Sequence, residues 1–340
     1  MRQAVMTEPG KIEFRDVEEP VPKEGEVLLD IKKIGVCGSD VHVWHGTHPF
    51  TSYPVVQGHE FSAEVKAVGK GVTKVEPGVR ATAAPQQVCG KCNPCKRGDY
   101  NICDHLKVRG FQAPGCAQDL FVVPEERLVA FDKSISYDAG ALIEPAAVAA
   151  HSTSRARDVV GCNVLVLGAG TIGNLVAQAC KCRGAKQVMI TDLSDFRLGI
   201  AKDVGVDVVC NVKNEDLSAK IKQVFGEEGF NIAFEAVGAE ATLDDAIQNI
   251  QKGGDIVVLG VFEGEPRVDM SVVGDREISL VGTLMYRQED YEQAVEWIEN
   301  GSMATEPLVT KHFAFEDFDQ AYRYIEDKAD ETLKVVVDLD

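Results

Sequence analysis

The stretch Val164-Leu-Val-Leu-Gly168-Ala-Gly170-Thr-Ile172-Gly173 decides the fold, because it joins a short apolar strand to glycines at the spacing G-x-G-x-x-G. Gly168 permits a tight turn, Gly170 lets the backbone approach a pyrophosphate, and Gly173 lets a helix pack closely on the strand. Residues 174–182 continue with helical periodicity, so the helix N-terminus would offer unpaired N–H groups to phosphates. The stretch predicts the first strand, turn and helix of a dinucleotide-binding sheet.

The sequence after this stretch supplies the context that a glycine-rich turn alone lacks. Residues 187–191 have the pattern of a strand, and they end in Asp192, where an acid would meet the hydroxyls of an adenosine ribose. An ordinary strand–turn–helix without a ligand is the alternative. The other strands expected are 163–167, 206–210, 231–236, 255–259 and 278–281, with helices such as 196–204 and 241–250 between them. Such alternation predicts a parallel sheet covered on both faces.

Length, charge and cysteine content bound the class of protein. A chain of 340 residues suggests two domains, and a net charge of −19 argues against nucleic acid and anionic membranes as partners. No apolar run approaches the roughly 20 residues of a membrane helix. Residues 1–6 lack the apolar region of a secretory signal. Ten cysteines then fit metal binding in a reducing cytosol better than a disulfide framework, so we expect a cytoplasmic protein.

The first part of the chain has β-rich patterns and carries a first group of candidate metal ligands. Cys37, in the polar stretch 35–45, is followed by the adjacent pair His59 and Glu60. A thiolate and an imidazole are ligands that zinc prefers, and a carboxylate can complete the set. The adjacent pair would point to opposite sides if extended. His59 alone would more often be a core histidine, but Cys37 upstream favours a metal.

A second group of candidate ligands is formed by cysteines alone. Cys89, Cys92 and Cys95 have the spacing C-x-x-C-x-x-C, and Cys103 follows eight residues later. Four thiolates can close a tetrahedral zinc cage with no open position, which would make the site structural. An iron–sulfur cluster is the competing interpretation of the spacing. Further along, Glu144 is an ionisable group in an Ala-rich apolar stretch, where a charge needs a partner or a metal.

The end of the chain predicts a return to the first domain. Helices are expected at 289–300 and 315–327, followed by an apolar strand at 333–339. A closing strand after a complete nucleotide sheet suggests that the C-terminus rejoins the first domain. The domains expected are a catalytic one of residues 1–155 completed by 286–340, and a dinucleotide-binding one of residues 156–285.

In this order the motifs resemble those of the zinc-dependent medium-chain dehydrogenases, over essentially the whole chain. The motifs are Cys-Gly-Ser-Asp-x-His at 37–42, Gly-His-Glu at 58–60, the four cysteines, Glu-Pro at 144–145 and the glycine stretch. The resemblance implies an α/β fold, with a Rossmann doubly wound parallel sheet and a β-rich, GroES-like catalytic domain. Ile-Glu-Pro at 143–145 is similar to the polyol branch, and segment 37–60 is most similar to galactonate-type sugar-acid dehydrogenases.

The resemblance also implies roles for single residues in the catalytic domain. The catalytic zinc would be held by Cys37 and His59, with Glu60 or Glu144 as the third protein ligand. Ser39 and His42 would relay the proton of the alcohol. Asp40 would orient His59 by accepting its other ring N–H. Cys89, Cys92, Cys95 and Cys103 would bind a second, structural zinc.

The resemblance likewise implies a dinucleotide site, and NAD as its occupant rather than NADP. The residues expected to bind it are Gly168, Gly170, Ile172, Gly173, Asp192, Arg197, Leu259, Val261, Thr283 and Met285. The carboxylate of Asp192 would pair with free ribose hydroxyls and repel a 2′-phosphate. Arg197 could offset part of that repulsion.

The implied activity is hydride transfer from a secondary alcohol of a polyol or sugar acid to NAD, in a homodimer or homotetramer. Val43 and Met285 stand where sorbitol-oxidising members tend to have Tyr and Arg, which argues against sorbitol. His45, His48 and Phe50 either line the substrate pocket or pack in a loop. The alternatives are a threonine or butanediol dehydrogenase, a zinc-free quinone or enone reductase, and a non-catalytic protein that binds NAD and zinc. The intact ligand and relay residues argue against the last two.

Overall fold

A computed structural model describes residues 1–262 and 264–339 and divides the chain into two compact units. The first unit consists of Met1–Glu144, Arg287–Glu299 and Val309–Asp340, and the second of Pro145–Tyr286 and Asn300–Leu308. The first boundary between the two units thus follows Glu144, inside a helix, whereas the sequence predicts a domain boundary after residue 155. In the described part of the chain, no helix is long and apolar enough to cross a membrane.

The first unit is mostly β-structure, with short helices between the strands. Its elements before the second unit are β1 (Arg2–Glu8), β2 (Lys11–Asp16), β3 (Glu26–Val36), α1 (Gly38–Trp44), β4 (Glu60–Val68), β5 (Arg80–Ala83), β6 (Gln86–Gln87), α2 (Asn93–Arg97), β7 (Lys107–Val108), β8 (Leu120–Pro124), β9 (Leu128–Phe131), α3 (Tyr137–Ala141) and the start of α4 (Ile143–Arg155).

The second unit alternates strands with helices, as the glycine stretch and the strands after it predict. Its elements are the rest of α4, then β10 (Asn163–Leu167), α5 (Thr171–Cys182), β11 (Gln187–Asp192), α6 (Asp195–Asp203), β12 (Val208–Asn211), α7 (Leu217–Phe225), β13 (Ile232–Glu235), α8 (Glu240–Asn249), β14 (Asp255–Val258), α9 (Met270–Asp275) and β15 (Ser279–Gly282).

The chain then completes the first unit with four more elements. They are α10 (Gln288–Glu299), β16 (Val309–Ala314), α11 (Phe318–Asp327) and β17 (Lys334–Asp338). Short 3₁₀ turns lie at Tyr100–Ile102, Glu125–Arg127, Gly226–Glu228, Glu306–Leu308, Phe315–Asp317 and Ala329–Glu331. The helix predicted from residue 315 therefore begins with a 3₁₀ turn and becomes α-helical at Phe318.

The main sheet of the first unit places the C-terminal strand beside the strand that leads to Cys37. Its order is β16-β17-β3-β4-β5-β9, with β8 also paired to β3. β17 is antiparallel to β3 and pairs Val336 with Gly35, and β3 is antiparallel to β4 and pairs Gly35 with Glu60. The predicted closing strand is therefore present, and it brings the end of the chain next to the candidate metal ligands.

The sheet of the second unit has the strand order of a doubly wound nucleotide-binding fold. All its strands are parallel, in the order β12-β11-β10-β13-β14-β15. The six predicted strands are present, with bounds shifted by at most two residues. The strand order reverses between β10 and β13, and ligands of such sheets bind at the carboxyl ends of the strands there. The glycine turn follows β10 at that point.

Candidate metal and dinucleotide sites

Three of the predicted zinc ligands converge in the first unit. Cys37, His59 and Glu60 each offer a ligand atom, and these atoms all lie within 4.8 Å of one another. In a continuous strand the side chains of His59 and Glu60 would diverge. β4 begins only at Glu60, however, and Gly58 before the pair has a φ of +88°. His59 lies outside the strand, so the alternation that would separate the two side chains does not apply to this pair, and both reach the group that Cys37 joins from the start of α1.

Asp40 contacts two of these residues from the first turn of α1. Its Oδ2 accepts a hydrogen bond of 3.0 Å from the backbone N–H of Cys37, and its Oδ1 lies 3.5 Å from Nδ1 of His59. Burial opposes a charge on His59, but Asp40 and Cys37 outweigh burial and raise the pKa of His59 well above its ordinary value. The surroundings therefore favour positive charge at this position, which fits a thiolate–imidazole–carboxylate set for a divalent cation.

Lys334, on β17, is a charged neighbour of the group that sequence reasoning missed. Its Nζ lies 2.5 Å from Oε2 of Glu60 and donates to the carbonyl of Val36 at 3.1 Å. Burial disfavours its charge, but Glu60 and Cys37 raise the pKa of Lys334 above its ordinary value. A Cβ on Gly35 would lie 2.4 Å from Oε2 of Glu60, so the glycine makes room for the pair. The available signal in the sequence was a lysine directly before three consecutive valines, in the predicted closing strand.

The predicted proton relay and the second glutamate lie in the same unit. Ser39 and His42 are one turn apart on α1, so they share a face of the helix, and both are half-buried. Nδ1 of His42 lies 3.5 Å from the hydroxyl of Thr47. Glu144 is buried in the first turn of α4, and its charge acts on Lys334. The three-residue group defined by the 4.8 Å limit does not include Glu144.

The residues 45–50 after α1, expected either to line a substrate pocket or to pack in a loop, differ in how close they come to the metal-ligand group. The ring of His48 stacks on Phe111 at 4.7 Å, and Phe111 lies 5.0 Å from the ring of His59. Burial lowers the pKa of His48 below its ordinary value. His45 instead pairs with Glu326 of α11, and the side chain of Phe50 is 73% exposed. His48 therefore reaches the neighbourhood of the metal-ligand group, and the ring of Phe50 lies against the ring of His48 at 6.2 Å.

The four cysteines of the second group also come together. Cys89, Cys92, Cys95 and Cys103 bring their sulfur atoms within 4.8 Å of one another. Backbone N–H groups of Lys91 and Cys92 point at the sulfur of Cys89, at 3.5 and 3.3 Å, and lower its pKa to about 6. Burial and the neighbouring sulfur atoms instead raise the pKa of Cys95 to about 12. The N–H···S contacts favour thiolates, so the loop fits a closed site with four sulfur ligands.

The three glycines after β10 differ in what surrounds them. Gly168 has a φ of +99°, and a Cβ on Gly173 would lie 1.8 Å from the carbonyl oxygen of Gly168. A Cβ on Gly170 would meet no atom within 4 Å. The first and third glycines are therefore required by the turn itself. The space at Gly170 is open, as a cradle for a closely approaching pyrophosphate requires.

Asp192 closes the same turn at the end of β11. Its Oδ2 accepts a 2.7 Å hydrogen bond from the N–H of Ala169, in the glycine motif, and its Oδ1 accepts from Leu193 and Ser194 at 2.8 and 2.9 Å. Nη1 of Arg197 lies 4.0 Å from Oδ2. The carboxylate is thus fixed beside the glycine turn, with the guanidinium next to it.

The other predicted dinucleotide contacts lie at the start of α5 and after β14 and β15. Ile172 and Leu259 are half-buried, and Val261 is 67% exposed. Among the residues that the structure describes, the buried hydroxyl of Thr283 has no hydrogen-bond partner, and Met285 has a positive φ of 52°. Val43, in contrast, is fully buried in the core of the first unit. A polar side chain at that position would need a buried partner.

Comparisons with known proteins identify the family. The family model described as "Alcohol dehydrogenase GroES-like domain" matches residues 23–133, and the one described as "Zinc-binding dehydrogenase" matches residues 171–300. An uncharacterised zinc-type alcohol dehydrogenase-like protein of Escherichia coli is 33% identical, over 94% of this chain and 93% of its own. A 2-dehydro-3-deoxy-L-galactonate 5-dehydrogenase of Pseudoalteromonas atlantica is 32% identical, over 88% of each chain.

Solved structures give the same result. The crystal structure of an Escherichia coli oxidoreductase/dehydrogenase of unknown specificity superimposes with a TM-score of 0.95 at 31% identity, and the match covers 100% of this chain and 99% of that one. The predicted Rossmann and GroES-like architecture is confirmed by these matches. The chain belongs to the zinc-dependent medium-chain alcohol dehydrogenases, enzymes that act on CH–OH groups.

Proposed function

We propose that the protein oxidises a secondary alcohol of a polyol or sugar acid, with a galactonate-like acid as the favoured substrate, and transfers the hydride to NAD. The convergence of Cys37, His59 and Glu60 within 4.8 Å carries the proposal. A zinc-free quinone or enone reductase has no need of such a set. The sugar-acid part is supported by the galactonate-type relative.

Cys37 and His59 would hold the catalytic zinc, and Glu60 is our choice for the third ligand. Glu60 belongs to the group of converging ligand atoms, whereas Glu144 does not. Lys334 holds one oxygen of Glu60 and leaves the other oxygen for a metal. When bound, zinc supplies Lewis acidity that lowers the pKa of the substrate alcohol. A second zinc would be held by Cys89, Cys92, Cys95 and Cys103.

Ser39 and His42 would carry the alcohol proton away. Their positions one turn apart on α1 suit a relay from a hydroxyl to an imidazole, and a half-buried imidazole can exchange the proton with water. Asp40 would fix the ring of His59 through Nδ1. The cofactor supplies the hydride-accepting carbon, and the chain supplies its binding and orientation.

We propose NAD rather than NADP because the carboxylate of Asp192 lies beside the glycine turn, where it would repel a 2′-phosphate. Arg197 is 4.0 Å from that carboxylate and offsets only part of its charge. We expect kcat/KM for NAD to exceed that for NADP by at least about tenfold, a difference of about 1.4 kcal/mol. Steady-state kinetics with both cofactors measures this, and comparable values would contradict the proposal.

The substrate is tested by NADH formation from NAD against hexonic acids, hexitols, hexitol phosphates, 2,3-butanediol and threonine, each with and without a zinc chelator. A hexonic acid as the best substrate, with chelator-sensitive turnover, supports the proposal. A preference for threonine or butanediol would replace the substrate but keep the chemistry. Chelator-insensitive turnover would contradict the metal site, and so would full activity of a zinc-replete Cys37→Ser variant.

We further propose that the enzyme is a cytoplasmic homodimer or homotetramer. All ten cysteines are free, which suits a reducing compartment. β15 is an edge strand of its sheet, and Leu280 on it is 38% exposed, so the edge is available to a second copy. Light scattering in solution would give the number of chains, and a monomer would contradict the proposal.

A further inference from the structure

Two buried residues, Gln57 and Tyr322, form a series of hydrogen bonds that leads to Asp40, next to the metal-ligand group. Gln57 and Tyr322 are 3% and 1% exposed. The hydroxyl of Tyr322, on α11, donates to Oε1 of Gln57 at 2.9 Å. Nε2 of Gln57 in turn donates to the carbonyl oxygen and to Oδ1 of Asp40, both at 3.3 Å. These two residues therefore link the C-terminal helix to the carboxylate that faces His59.

The orientation of the Gln57 amide follows from its neighbours. Asp40 presents two acceptor oxygens to it, so an amide oxygen turned towards Asp40 would meet only other acceptors. The amide nitrogen must face Asp40, which leaves Oε1 for the hydroxyl of Tyr322. Burial raises the pKa of Tyr322 well above its ordinary value, so the hydroxyl keeps its proton and donates it. The hydroxyl of Tyr322 donates to Gln57 and the amide of Gln57 donates to Asp40, so both hydrogen bonds run in the direction of Asp40.

The Tyr322 hydroxyl is held in place by packing as well as by its hydrogen bond. Its ring stacks on Trp44 of α1 at 5.0 Å with an angle of 3° between the planes, and on Phe318 at 5.6 Å and 20°. A ring stacked on both of these neighbours has little freedom to move. The donor that orients Gln57 is therefore set by the core of the first unit.

The fixed carboxylate of Asp40 determines which ring nitrogen of His59 carries the proton. Oδ1 of Asp40 accepts from Gln57, and Oδ2 accepts from the backbone N–H of Cys37, so the carboxylate is held as an acceptor. In the described part of the chain, the buried Nδ1 of His59 has no other partner than this carboxylate, 3.5 Å away. An acceptor at Nδ1 places the proton of a neutral imidazole there and leaves the lone pair of Nε2 for a metal.

We propose that Gln57 and Tyr322 are positioning residues for the catalytic zinc. They hold Asp40 as an acceptor and thereby fix both the tautomer and the orientation of the ligand His59. This inference rests on the proposed zinc site and extends it by two layers of residues. Gln57 acts directly on Asp40, and Tyr322 acts only through Gln57.

The test measures how fast the holoenzyme releases zinc to a chromogenic chelator. The variants are Gln57→Met, which keeps the length of the side chain without its amide, Tyr322→Phe, and the double variant. Tyr324→Phe, on the same helix, is the matched control. Cys37→Ser identifies the phase that belongs to the catalytic zinc, and the ion at the four cysteines serves as an internal reference.

We expect Gln57→Met to accelerate release of the catalytic zinc about tenfold, the lower end of what supporting residues contribute to metal affinity. Tyr322→Phe should have a smaller effect, about threefold, because Tyr322 acts only through Gln57. The double variant should match Gln57→Met, because Tyr322 acts through Gln57. Release from the four cysteines and the behaviour of Tyr324→Phe should not change.

Three results would overturn the inference: unchanged release in Gln57→Met, effects that multiply in the double variant, or equal acceleration at both zinc ions, which would indicate general loosening. Failure of the proposed function looks different. In that case the wild-type protein and the Cys37→Ser variant would contain the same amount of zinc.

Discussion

At the scale of single residues, Gly170 and Gly173 differ in the space that surrounds them, although they stand three positions apart in one motif. A Cβ at Gly173 would overlap the carbonyl of Gly168, whereas a Cβ at Gly170 would meet nothing within 4 Å. The φ of Gly170 is −68°, which any residue adopts. The protein itself therefore requires Gly173, and only a bound dinucleotide would require Gly170.

We expect Gly170→Ala to keep the stability of the protein within about 0.5 kcal/mol while it weakens NADH binding at least about tenfold. Gly173→Ala should lower the unfolding temperature, because the backbone must move to admit the methyl group. Thermal unfolding and NADH fluorescence titration of both variants measure the two effects. Unchanged NADH affinity in a folded Gly170→Ala variant would show that no phosphate approaches this glycine.

At the scale of elements, the sequence predicts best what is encoded locally. The strand, turn and helix around Gly168 carry their signal within about 20 residues, and the strands of that sheet lie within two residues of their predicted bounds. The four cysteines likewise fall within one short loop. In both cases spacing along the chain fixes the arrangement in space.

What the sequence could not predict depends on contacts between distant elements. Lys334 pairs with Glu60 across 274 residues, and Tyr322 reaches Gln57 across 265. Both contacts arise because β17 and α11 return to the sheet of the first unit, and no local pattern specifies which side chain then faces the ligands. The closing strand was predictable from its apolar residues, but the partner of its lysine was not.

The adjacent strands β17, β3 and β4 also provide an internal comparison of a buried and a partly exposed ion pair. Lys334 and Glu60 have side chains 4% and 1% exposed, whereas those of Lys33 and Asp338 are 20% and 25% exposed. Removing one partner of a buried pair leaves a charge in a poorly solvated place, which costs about 3–5 kcal/mol. A pair that water reaches contributes about 1 kcal/mol or less.

Lys334→Met should therefore destabilise the protein by about 3–5 kcal/mol, and Lys33→Met by about 1 kcal/mol or less. Urea unfolding at neutral pH measures both losses, after the catalytic zinc has been removed so that no metal compensates the charge of Glu60. The two variants form a matched pair, because each carries a Lys-to-Met change and their strands are adjacent. Equal losses would mean that the charge of Glu60 is neutralised by something other than Lys334.

At the scale of the whole molecule, the candidate sites are divided between the two units. Both groups of candidate metal ligands, at 37–60 and 89–103, lie in the first unit, and the glycine turn with Asp192 lies in the second. Each unit has its own sheet and its own core. The dinucleotide turn is completed by hydrogen bonds within the second unit, so its geometry does not depend on a metal.

Zinc removal should therefore proceed in two steps, with nucleotide binding retained after the first. A catalytic zinc held by three protein ligands would leave a coordination position for substrate, so it should be lost first to a chelator, together with turnover. The ion enclosed by four thiolates should leave later, with a fall in the unfolding temperature, because a closed site contributes folding free energy. NADH affinity, measured by fluorescence after each step against the zinc content, should stay within about twofold after the first loss. A parallel loss of NADH affinity and the first zinc would show instead that the dinucleotide turn depends on the metal site.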